Sequence, residues 1–99
     1  MNFTLYDLGY VNEGSIVDVT LQGSAANVRL MDGSNLSNYK AGRDHRYFGG
    51  LAKSSPVRLM VPSSGTWHVT VDMQGLRGTV RSSIKVIPGA ALQPLPEIN

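Results

Sequence analysis

Val57 to Met73 reads VRLMVPSSGTWHVTVDM, two apolar alternations separated by a turn. Val57, Leu59 and Val61 alternate with Arg58 and Met60; Trp67, Val69, Val71 and Met73 alternate with His68, Thr70 and Asp72. A period of two sets each apolar series on one face of a pleated strand. Pro62-Ser63-Ser64-Gly65 is turn chemistry, since Pro presets φ and Gly tolerates positive φ. The stretch therefore predicts a β-hairpin. Facing residues share a face, so the two series meet only across an odd loop or a bulge. A five-residue loop, Pro62 to Thr66, pairs Val61 with Trp67; a three-residue loop sets Leu59 opposite Trp67. Either register buries Trp67, the only tryptophan.

Upstream, Phe3 to Val11 has strand composition and ends at the turn Asn12-Glu13-Gly14-Ser15. Ile16 to Leu21 alternates Val17, Val19 and Leu21 with Asp18 and Thr20, and Asn27 to Asp32 places Val28 and Leu30 inward, Arg29 and Met31 outward. Gly33 to Gly50, GSNLSNYKAGRDHRYFGG, breaks the alternation. Within it Ser34 caps one helical turn over Asn35 to Lys40, with Gly42 as the stop and Leu36 and Tyr39 as docking residues. His45 to Phe48 reads as a short strand. Downstream, Thr79 to Ile87 alternates Val80, Ser82, Ile84 and Val86 with Thr79, Arg81, Ser83 and Lys85. Short strands between turn signals, with no alternating helices, give an all-β fold. The expected architecture is an antiparallel, jelly-roll-like β-sandwich with one short helical turn in a long connection. Residues 1–88 form one domain, and 89–99, with two prolines after Pro88, a loose C-terminal tail.

Composition narrows the function. Ninety-nine residues with 41% hydrophobic and 16% charged content suit one folded domain. A formal charge of +2, without dense Lys/Arg runs, argues against specific nucleic-acid binding or a membrane patch. The absence of cysteine removes disulfides and thiol chemistry, and His45 and His68 alone make no metal site, so no cofactor is expected. No leader or membrane span is evident, which makes a cytoplasmic location the expectation.

The gathered residues resemble the bacterial family of domains of unknown function numbered eighteen eighty-three. The likeness rests on Met1-Asn2-Phe3-Thr4 with Tyr6-Asp7-Leu8-Gly9, Ala26 to Asp32, Asn35 with Asn38-Tyr39, and Tyr47 with Gly49-Gly50. Pro56-Val57-Arg58-Leu59 and Val61-Pro62 with Ser64 to Val69 complete it, so that it spans roughly Met1 to Pro88. The resemblance implies a small β-sandwich found alone or beside TIR domains, with no assigned catalytic residues. The architecture also looks like jelly-roll sandwiches of the Golgi-dynamics and prepeptidase type, which are binding or accessory modules.

Two functional expectations follow. The first is a non-catalytic binding or sensing module that meets a protein partner or small anionic ligand through Gly33 to Gly50. Its candidate residues are Tyr39, Arg43, His45, Arg46 and Tyr47, joined by Arg58 from the sheet, because Arg and Tyr dominate interface energetics. Arg29, Arg58, His68, Thr70, Asp72, Arg77 and Arg81 are read as outward polar groups, with Arg58 near Asp72 and Arg81 near Asp18. The second is a small hydrolase or lyase built on His45, Asp44 and nearby tyrosines, without a nucleophile elbow to support it. The same loop residues also suit self-packing, with Asn side chains tying the backbone. Oligomeric state is open.

Overall fold

A β-branched alternation becomes a strand when one face finds a core, and seven strands do so in the computed structural model, which describes residues 2–89. In chain order they are β1 Phe3–Val11, β2 Ile16–Gly23, β3 Ala26–Asp32, α1 Gly33–Lys40, β4 Phe48–Ala52, β5 Val57–Met60, β6 Gly65–Asp72 and β7 Val80–Ile87. All pairings are antiparallel, in a four-stranded sheet of order β1-β6-β3-β4 and a three-stranded sheet of order β5-β2-β7. The architecture is the expected all-β sandwich. The expected tail falls almost wholly on residues 90–99, outside the described residues; Gly89, still described, is buried.

The deciding stretch folds differently from its reading. β5 and β6 are not a hairpin: β5 pairs with β2 in one sheet, and β6 lies between β1 and β3 in the other. Pro62 to Ser64 is an arch that carries the chain across the sandwich. Both apolar series still face the interior, but they meet across the core instead of along a shared ladder. Alternation assigns faces, not partners, and a hairpin and an arch have the same period. The arch is strapped to the β1–β2 turn. Val61 N–H donates to the Ser15 carbonyl at 2.8 Å, Gly14 N–H to the Val61 carbonyl at 2.9 Å, and Glu13 N–H to Ser64 Oγ at 2.8 Å.

The core fills the space between the sheets. Val28, Leu30, Trp67, Val69 and Val71 come from one sheet, Val17 and Val19 from the other, and Val61 closes the arch end. Trp67 is 6% exposed, and its indole Nε1–H donates to the Ser63 carbonyl at 2.8 Å, which satisfies its one polar atom. Tyr6 reaches across from β1 to β7, its hydroxyl 2.7 Å from Ser82 Oγ.

The outer face of the larger sheet is roofed. α1 starts at Asp32, whose carboxylate accepts the Asn35 N–H at 2.9 Å, so Asp32 and not Ser34 is the cap. Its C-terminal end wraps through Gly42, at φ +72°, whose N–H donates to the Tyr39 carbonyl. Leu36 and Tyr39 dock as expected, burying Met31 between them and the sheet. Met31, Thr70 and Asp72 therefore lie on an outward face yet are buried. The expected strand at His45 to Phe48 starts instead at Phe48 and runs to Ala52. There Gly49, at φ +110°, lies so close to β3 that a Cβ would collide with the Val28 carbonyl oxygen. The expected charge pairs are also rearranged. Arg58 faces Asp18 (Nε–Oδ2 3.5 Å), Arg81 stands opposite Gln22, and Asp72 pairs with Arg29.

Candidate functional site

The roofed face gathers polar residues from three elements and an aromatic ring from a fourth. β6 supplies Asp72 and Thr70, and β3 sets Asn27 opposite Asp72 and Arg29 opposite Thr70. β1 sets Phe3 on the other side of Asp72, and α1 lowers Tyr39 onto the group. Asp72 Oδ2 accepts the Tyr39 hydroxyl at 2.6 Å and Arg29 Nη1 at 2.6 Å; Oδ1 accepts Asn27 Nδ2 at 2.8 Å and the Gln74 N–H at 3.0 Å. Burial pushes this carboxyl up, but the bonds from Tyr39, Asn27 and the Gln74 backbone, with the Arg29 charge, bring it below the usual carboxylate range. The Tyr39 phenol is pushed up to about 12, by its own burial first and then by its bond to, and the charge of, Asp72. It stays neutral at physiological pH.

From Tyr39 a line of rings runs toward solvent. Phe3 and Tyr39 meet edge-on at 5.1 Å, Tyr39 and His45 at 5.2 Å, and His45 and Tyr47 are tilted at 5.4 Å. The Arg29 guanidinium lies 5.0 Å from the Tyr47 centroid and 5.7 Å from that of Tyr39. The connecting backbone is tied by asparagines. Asn35 Oδ1 accepts the Arg46 N–H at 2.7 Å, while Asn38 Oδ1 accepts Arg43 Nε at 3.1 Å. Tyr39, Gly42, Arg43, Asp44, His45 and Gln74 line a shallow depression of about 390 Å³.

Five of the six sequence-chosen residues thus come together: Tyr39, Arg43, His45, Arg46 and Tyr47. Arg58 does not; it stands on the outer face of the other sheet, beside Asp18. The five divide in two. Tyr39 and His45 are inner members of the ring line, whereas Arg43, Arg46 and Tyr47 are exposed. Sequence reasoning left Arg29, Asp72, Asn27 and Phe3 out of the site. The available signal was Tyr39 itself: a helix too short to stand alone must land its phenol on some strand face.

Four donors occupy the Asp72 oxygens, leaving little basicity for proton abstraction. His45 Nδ1 contacts the Arg43 carbonyl at 3.0 Å, so a backbone oxygen orients the imidazole. Among the described residues no group of three His, Cys, Asp or Glu is placed to hold a metal ion, and no helix is long and apolar enough to cross a membrane.

Comparison with known proteins matches the chain to the family model described as Domain of unknown function (DUF1883), over residues 1–90. No curated protein and no solved structure matches the chain.

Proposed function

We propose that this chain, which belongs to the DUF1883 family of domains of unknown function, is a non-catalytic binding module that meets an anionic ligand or acidic partner through residues 33–50. The observation that carries the reading is the division of labour in that segment. Its inner side is pinned to the sheet by Tyr39 and Asp72, while Lys40, Arg43, Arg46 and Tyr47 stand exposed, with Asp44 as the one carboxylate of the segment. Pinning lowers the ordering cost of binding, and exposed guanidinium groups can grip carboxylate or phosphate oxygens in a fork. A hydrolase or lyase on His45 and Asp44 has less support, since His45 Nδ1 meets the Arg43 carbonyl in place of the Asp44 carboxylate, and its Nε2 is buried away from solvent. A cytoplasmic setting belongs to the same proposal.

The test is an amide-shift titration of the labelled chain with inorganic phosphate and with hexaglutamate. Shifts at residues 40–47 are expected, to be weakened about tenfold in the Arg43→Ala/Arg46→Ala variant and by added salt. The variant should melt within a few degrees of the parent, because both side chains are exposed. Unchanged shifts in a folded double variant would overturn the proposal.

A further inference from the structure

We propose that the edge of β7, which no other strand among the described residues covers, is a docking site for an extended protein segment whose residues alternate between acidic and apolar side chains. This goes beyond the reading of residues 33–50 and concerns a different strand on the other sheet. The sheet orders leave four edges, β1, β4, β5 and β7. Three of them are blunted. β1 has a register break between Asp7 and Gly9, β4 carries Gly49 and Gly50 at positive φ, and β5 has only four residues. β7 pairs with β2 without interruption from Gly23↔Val80 to Ile16↔Ile87. Its eight residues contain no proline, so its other edge offers a regular row of backbone donors and acceptors.

The two faces beside that edge differ in chemistry. Outward, Arg81 and Lys85 are exposed with the small Ser83 between them. Asp18, opposite Lys85 in register, pairs with Arg58, and among the described residues neither Arg81 nor Lys85 has a salt-bridge partner. Inward, a cleft of about 370 Å³ opens between the starts of β1 and β7, with Val71, Met73 and Val80 in its wall. Residues opposite one another in a ladder share a face. An added strand therefore puts carboxylates opposite Arg81 and Lys85, and its alternate residues, opposite Val80 and Ser82, toward the cleft. A second copy of this chain is a poor occupant. Antiparallel self-pairing of β7 with the outer faces on one side sets Arg81 against Lys85 of the copy when centred on Ser83, where like charges repel, and sets both cations against uncharged residues when centred on Ile84, so neither register offers them a carboxylate.

The probe is a fluorescein-labelled eight-residue peptide of alternating glutamate and valine, titrated into the full 99-residue chain. Saturable binding is expected, with amide shifts at residues 80–87 and at Val71 and Met73. Arg81→Glu/Lys85→Glu should weaken it at least about tenfold, with Arg81→Gln/Lys85→Gln as the variant should the reversal fail to fold. Two peptides N-methylated on opposite alternate sets of amides should part, one set abolishing binding and the other preserving it, because only one set faces an edge. Absence of saturable binding, equal binding of a lysine–valine peptide, N-methylated peptides that bind alike, or shifts confined to residues 33–50 would each overturn the proposal. The last result would leave the reading of the 33–50 segment standing.

Discussion

Asp72 joins the outer layer to the sheet, because one carboxylate on β6 serves β3, α1 and the chain that follows β6. Its side chain is fully buried and that of Arg29 is 17% exposed, so removing one partner strands the other in a poorly solvated place. Asp72→Ala should cost about 3–5 kcal/mol in denaturant melts. The same variant should let the Tyr39 phenol titrate closer to its ordinary value, read as tyrosinate absorbance, since Asp72 contributes two of the causes that raise it. The pH dependence has two limbs. Folded Asp72 holds its proton less tightly than the unfolded chain does, so its stabilisation is whole above about pH 4 and fades as pH falls through the folded value. Tyr39 acts in the opposite direction: its contribution is whole below about pH 10 and is lost as pH rises toward about 12. Stability that kept rising above pH 10 would contradict the buried phenol.

At the scale of elements, α1 shows what the sequence could and could not disclose. Leu36 and Tyr39, three residues apart, announced a docked turn, and Gly42 announced its end. Asp32 was read as the last residue of a strand, and it is; its carboxylate also caps the helix that begins at the next residue. A residue that serves two elements has no signature in either pattern. Asp32→Ala should cost about 1 kcal/mol. It should also speed amide hydrogen exchange across residues 33–47, because Asn35, which ties Arg46, is itself held by Asp32. Unchanged exchange would mean that the roof is held by Leu36 and Tyr39 alone. The roof also explains why Thr70 and Asp72 misled: alternation marks them as opposite to Val69 and Val71, which is correct, but whether that second face meets water depends on a helix more than thirty residues earlier. The arch between β5 and β6 misled for a related reason. Faces are local information, whereas partners are set by which sheet the neighbouring strands build.

For the whole molecule, Trp67 is where the two sheets and the arch come together. Its ring is in the shared core and its Nε1–H holds the arch through Ser63. Trp67→Ala should cost about 3–5 kcal/mol, a large share of the stability of a domain this size, measured by denaturant melts. A loss below about 1 kcal/mol would place the packing energy elsewhere. The arch has a further consequence, in time. Because the chain changes sheet there, β6 finds its partners in β1 and β3, and β7 finds its partner in β2. Phe3 waits for Asp72 and Ile16 for Ile87, partners about seventy residues apart, and such distant pairings place folding in the slow, millisecond-to-second range. On a ribosome, β1 and β2 emerge long before either can pair. Until β5 and β6 follow, the nascent chain displays two bare strands, which only factors outside the chain can cover in that interval.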